Sequence, residues 1–150
     1  MSKLTKEQVL HQCRATVEDR TKALQAELEK VKASAQEETK SSMGDKYETG
    51  REMMMQESNK LNERLEVLLR QTAALSAIDG EAHAVVKSGS LVQTDQGIYF
   101  ISVALGVLEI KKVKVFVVSP VAPLVRELIG KAEGDVIQFN GRKQRILSVS

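Results

Sequence analysis

Ser41-Ser42-Met43-Gly44-Asp45-Lys46-Tyr47-Glu48-Thr49-Gly50-Arg51-Glu52 interrupts two runs that share one rhythm. Before it, Leu10, Val17, Leu24 and Val31 recur seven apart, with Leu28 and Ala35 widening the stripe. After it, Met54, Leu61, Leu68 and Leu75 keep the same spacing, with Leu65, Ser58 and Thr72 between them. A seven-residue apolar repeat is one narrow helical seam. Two such helices joined by a short polar stretch bury their seams most economically against each other, as an antiparallel pair. Roughly 35 residues per helix at about 1.5 Å rise gives an arm on the order of 50 Å long, with a turn at its tip. Thr5 followed by Gln8 starts the first helix as a capping box. Within Met53-Met54-Met55, Met54 fits the seam and its neighbours flank it, so all three read as packing residues.

Composition divides the 150 residues into two parts. Residues 1–80 are rich in Glu, Lys, Gln, Ala and Leu and contain no proline, and their glycines are Gly44, Gly50 and Gly80, a composition of long helix. Residues 81–150 hold both prolines and most of the Val and Ile. The expected domains are therefore a hairpin over 1–80 with an acidic tip near 44–48, and a β-rich domain over 81–150. In the latter, runs at Ala84–Val86, Gly97–Leu105, Lys112–Val118, Asp135–Phe139 and Gln144–Val149 read as strands of a small, mostly antiparallel sheet. Ser119-Pro120-Val121-Ala122-Pro123 feeds one short helix that Gly130 ends. The fold class is α+β.

Charge and cysteine content exclude several functions. The first part carries 13 Lys+Arg against 14 Asp+Glu and the second 9 against 6, so neither is a polycation. Only Lys111, Lys112, Lys114 and Arg142, Lys143, Arg145 cluster, which allows weak direct DNA contact at most. Cys13 is the single cysteine and sits at an apolar helix position, so neither a disulfide framework nor a thiolate metal site is available. His11 and His83 lack partners at metal-ligand spacing, and no Ser-His constellation or glycine-rich phosphate loop is present. The start MSKLTKEQVLHQ has no apolar stretch of signal-peptide length, and no run approaches a membrane span. The expectation is a cytoplasmic protein without a membrane partner.

At the tip, Asp45 reads as an N-cap and Glu48, three residues on, as the closing member of a second capping box. The same spacing presents two carboxylates on one side of a helix start, where they can hold a divalent cation. Magnesium prefers six oxygens and keeps several waters, so this pair binds it weakly and needs ligands from another molecule. Both readings remain open on the residues alone.

Gly44-Asp45-Lys46-Tyr47-Glu48 resembles the tip of the bacterial Gre-type transcript cleavage factors, whose pattern is Gly-Asp-x-x-Glu-Asn-x-Glu-Tyr. This chain departs from it afterwards, with Thr49 for the Asn, Arg51 for the second Glu and Glu52 for the Tyr. Val118-Ser119-Pro120, Leu128-Ile129-Gly130-Lys131 and Gly134-Asp135-Val136 resemble the C-terminal domain of the same family, which is FKBP-like.

The resemblance implies an accessory factor, not an enzyme in its own right. Such a factor binds RNA polymerase, inserts its coiled coil through the secondary channel, and meets the nascent RNA 3′ end inside the complex. Asp45 and Glu48 take the catalytic and metal-holding role, sharing Mg2+ with the polymerase, with no metal bound tightly by the isolated protein. Ser119, Pro120 and Pro123 take the docking role. Two alternatives stand beside it: a Gre-like regulator that occupies the channel without stimulating cleavage, suggested by Thr49, Arg51 and Glu52, and a coiled-coil scaffold. A prolyl isomerase is disfavoured, because Tyr99, Phe100, Phe116 and Phe139 are the domain's only aromatic residues and its core needs most of them.

Overall fold

The computed structural model describes the backbone of residues 4–41 and 45–150, and the side chains of residues 4–35 and 49–150. Two helices open the chain, α1 (Lys6–Ser41, 36 residues) and α2 (Asp45–Ser76, 32 residues). Residues 15–73 form one compact unit, and residues 1–14 with 74–150 form the other.

The helical unit is held by the seven-residue seam. Leu24, Leu28, Val31 and Leu61 are buried together, and Met54, Leu65 and Leu68 pack against them. Burying a leucine or valine removes apolar area worth about 1.5–3 kcal/mol, which neither helix could gain alone. Three expectations fail at its margin. Thr72 is exposed, and its hydroxyl donates back to the Leu68 carbonyl at 2.9 Å instead of facing the partner helix. Met53 and Met55 are 65% and 57% exposed, because a seam this narrow takes only one residue of three consecutive ones.

At the base, the predicted capping box forms. The Thr5 N–H donates to Gln8 Oε1 at 3.0 Å and the Gln8 N–H to Thr5 Oγ1 at 3.2 Å. Val9, Leu10, Cys13 and Leu75 are buried there, although the spacing pointed only to Leu10, Cys13 and Leu75.

Six strands follow: β1 (Leu91–Thr94), β2 (Ile98–Ile101), β3 (Gly106–Ile110), β4 (Val113–Val118), then α3 (Pro123–Leu128), β5 (Val136–Phe139) and β6 (Arg142–Val149). They lie in the order β3-β4-β2-β1-β6-β5, with β2 and β4 parallel and the other neighbours antiparallel. This is the expected α+β architecture of a helical hairpin followed by a mostly antiparallel sheet with one short helix.

Strand limits differ from expectation at the N-terminal half of the sheet. Ala84–Val86 is not a strand: only Val85 bridges, to Ala132. Leu91–Thr94, too short and polar to stand out, is central, paired with both β2 and β6. The run from Gly97 breaks at Ser102, and Gly106, at φ +87°, turns the chain into a separate strand β3.

One face of the sheet and α3 enclose Val86, Val92, Ile101, Val125, Leu128, Ile137 and Ile146. Side chains alternate across a strand, so Leu91, Phe100, Val115 and Val117 leave the opposite face, and they are buried as well.

Candidate functional site

The Ser119–Pro123 loop is built from the end of β4 outward. The Val121 N–H donates to Ser119 Oγ at 3.3 Å and the Ala122 N–H to the Ser119 carbonyl at 3.0 Å, so one serine closes the turn twice. Pro123 begins α3, where its missing N–H costs nothing, and Ala122 caps without a side-chain bond. Val118, Ala122 and Leu124 pack on the core and fix the loop from inside. What the loop then offers outward is Pro123, exposed, and Val121, 69% exposed. Ser119 and Pro120 are half-buried beside them. Sequence reasoning picked the serine and the prolines and missed Val121. The available signal was an apolar residue locked between two prolines, where it has no inward neighbour to pack against.

The other two motif fragments close around the same core. The Gly130 N–H donates to the Val86 carbonyl at 2.9 Å and the Val86 N–H to the Lys131 carbonyl at 2.8 Å, joining the end of α3 to the segment before β1. Gly130 sits at φ +84°, the left-handed conformation that ends a helix. Asp135 accepts the Ala132 N–H through Oδ2 at 2.8 Å, and its own N–H donates to the Ala132 carbonyl at 3.0 Å. Turn chemistry therefore accounts for each of these residues singly, while their common core accounts for their order.

The second candidate group is at the hairpin turn. Helix α2 begins at Asp45, but the side chains of Asp45 and Glu48 lie outside the described residues. Thr49, Arg51 and Glu52 follow on the first turns of α2, with Arg51 exposed and lining a cleft with Lys32 and Met55. Among the described residues no three His, Cys, Asp or Glu gather as a metal ion requires. His83 bonds through Nδ1 to Ser90 Oγ at 2.7 Å, and burial, with Lys6 and Lys87 nearby, holds its pKa below the ordinary value. Lys6 is buried and donates to the Glu81 carbonyl, and desolvation lowers its pKa. Lys6 thus ties the start of α1 to the segment after α2, and His83 braces that segment internally. Among the described residues no helix is long and apolar enough to cross a membrane.

No family model matches this chain, and no curated protein does. Solved structures do. The crystal structure of GreA factor homolog 1 (Gfh1) protein of Thermus thermophilus is 18% identical, with 91% of this chain and 94% of that one covered and a TM-score of 0.36. The structure of the transcription factor Gfh1 is 18% identical over 91% and 92%, with a TM-score of 0.39. Thermus aquaticus Gfh1 is 22% identical over 85% and 92%, with a TM-score of 0.31. Likeness at this level assigns neither family membership nor a role to any residue.

Proposed function

We propose that this chain is a cytoplasmic accessory factor of RNA polymerase. It docks through the Ser119–Pro123 loop, passes its helical hairpin into the secondary channel, and promotes cleavage of backtracked RNA by the polymerase's own active centre. The observation that carries this reading is a combination. A pair of long helices, the second of which begins at Asp45 within the stretch Gly44-Asp45-Lys46-Tyr47-Glu48, is followed by a sheet domain in which Val118-Ser119-Pro120, Leu128–Lys131 and Gly134–Val136 surround one core. The rigid loop adds an exposed apolar knob, Val121 between two prolines, on a frame with little entropy to lose on binding.

Two carboxylates three residues apart form a donor set for a hard, oxygen-preferring ion such as Mg2+, and they leave most of its coordination to others. Asp45 and Glu48 would hold it together with ligands of the polymerase, so the isolated chain binds it weakly. When bound, the ion supplies charge stabilisation and an activated water for phosphodiester hydrolysis.

A second reading has its own observation. Arg51 stands, exposed, two turns into α2, and a cation there would compete with a metal for the acids. On that reading the protein occupies the channel and does not stimulate cleavage.

The deciding experiment is release of short 3′ RNA fragments from stalled, backtracked complexes of the cognate polymerase, with Mg2+, with and without the protein. Faster release that is lost in Asp45→Asn/Glu48→Gln, with binding kept within a few fold, supports the cleavage factor. Binding with slowed elongation and no fragments supports the occupying regulator. Absence of binding, with concentration-dependent self-association, points to the scaffold.

A further inference from the structure

The sheet contains two tight hairpins with nearly the same turn. Between β5 and β6, Asn140 and Gly141 lie at φ +52° and +76°, and between β3 and β4, Lys111 and Lys112 lie at +51° and +66°. In each, the flanking residues pair directly, Phe139 with Arg142 and Ile110 with Val113. Positive φ at both central residues is the type I′ geometry, which Asn-Gly suits and ordinary side chains resist. One hairpin thus uses the residues its turn favours, while the other holds two lysines in a disfavoured conformation. Both lysines are exposed, as is Lys114, and none of the three forms an ion pair among the described residues.

The strained turn adjoins an open edge. Strand β3 ends the sheet, paired only with β4. Since Ile110 and Val113 close a two-residue turn as a hydrogen-bonded pair, the backbone N–H and C=O of Val107 and Glu109 face away from β4. Val107 is 52% exposed. At the turn end, a cleft of about 630 Å³ is lined by Leu10, His11, Arg14, Glu109, Ile110 and Lys111.

We propose that β3 and the Lys111-Lys112 turn form a docking surface for an extended, acidic segment of a partner protein. The segment adds as a seventh strand along Val107 and Glu109, with its carboxylates meeting Lys111, Lys112 and Lys114. Three lysines against Glu109 supply the charge complementarity. A single-stranded nucleic acid fits less well, since it needs exposed rings to stack on. Here Phe116 is half-buried and stacked on the buried Tyr99, with centroids 5.4 Å apart. Three charges are also too few for a duplex. This surface is separate from the Ser119–Pro123 loop and does not depend on the polymerase reading.

The test uses the full chain and a capped octapeptide alternating glutamate with valine and threonine, at low salt. It should bind, slow hydrogen exchange at the Val107 and Glu109 amides, and lose at least tenfold in affinity against Lys111→Asn/Lys112→Gly. That variant should be more stable than the parent, because Asn-Gly suits the turn, so a loss of binding cannot come from unfolding. Equal binding of a lysine-for-glutamate peptide, tighter binding of an octanucleotide RNA, unchanged affinity of the variant, or no binding of the acidic peptide would each overturn the proposal. So would self-association of the variant with peptide affinity intact, which would make the lysines only a guard against edge-to-edge pairing.

Discussion

Arg14 on the first helix caps the second: its guanidinium donates to the Leu75 carbonyl at 2.9 Å and to the Ile78 carbonyl at 3.2 Å. The last turn of α2 has no basic residue of its own, so the favourable charge at its C-terminus comes from the partner helix. Arg14→Ala should cost about 1 kcal/mol, the value of a charge-assisted bond discounted for solvent. Arg14→Lys should recover only part, since both bonds come from Nη2 and a lysine side chain ends one bond short of that nitrogen. Urea denaturation of the three proteins measures this, and equal midpoints would mean that water serves those carbonyls as well.

Cys13 lies fully buried, and burial pushes its thiol up to about 12. In the unfolded chain the thiol ionises near 9.0, so between about 9 and 12 the folded state retains a proton that the unfolded state has lost. Stability from this group is therefore fully present below pH 9 and falls as pH rises towards 12. The parent should lose stability over that window faster than Cys13→Ala, and parallel pH profiles would exclude the thiol. At pH 8 the folded protein should resist thiol alkylation, with labelling appearing only as denaturant opens the helix base.

Inside the sheet domain, Thr94 Oγ1 donates to Gln144 Oε1 at 2.9 Å, with the Tyr99 hydroxyl at 3.4 Å from the same oxygen. Both partners are buried, and desolvation raises the Tyr99 pKa. Gln144→Leu alone leaves the threonine hydroxyl only the Gly97 carbonyl, at 3.4 Å, to donate to, and should cost about 1 kcal/mol. Thr94→Val with Gln144→Leu should cost less than the sum of the single changes, because the bond the two side chains share is then lost only once. Strict additivity in a thermal double-mutant cycle would show that the pair is not coupled.

What could be read in the chain follows the reach of each physical signal. The seven-residue seam and the Thr5–Gln8 box are local and periodic, and Leu24, Val31 and Leu61 lie where that period puts them. Strand β1 gave no such signal, because Leu91–Thr94 is four residues long and is made a strand by β2 and β6, which flank it from elsewhere in the sequence. Break points inside apolar runs were equally hidden, as at Ser102, where composition stays apolar while the backbone turns. Of the candidate site, Ser119, Pro120 and Pro123 carried turn signatures. Val121 was marked only by the prolines on either side of it, since exposure itself is a property of the packed domain. The Lys111-Lys112 turn was visible as charge and invisible as strain, since lysine gives no sequence cue for positive φ.

Val121 makes the docking loop testable apart from stability. Its side chain is 69% exposed, so Val121→Ser removes little buried surface and should leave the thermal midpoint nearly unchanged. If the loop seats in an apolar groove of the polymerase, burying that valine is worth about 1.5 kcal/mol, and its loss should weaken binding roughly tenfold. Ser119→Ala tests the frame instead: it removes the oxygen that accepts the Val121 N–H, so it should loosen the loop and lower affinity less, with a small loss of stability. Equilibrium binding of the three proteins to the cognate polymerase separates the two effects. Unchanged affinity for Val121→Ser would take the apolar contact out of docking, and unchanged affinity for both would reduce the Ser-Pro loop to a turn that starts α3.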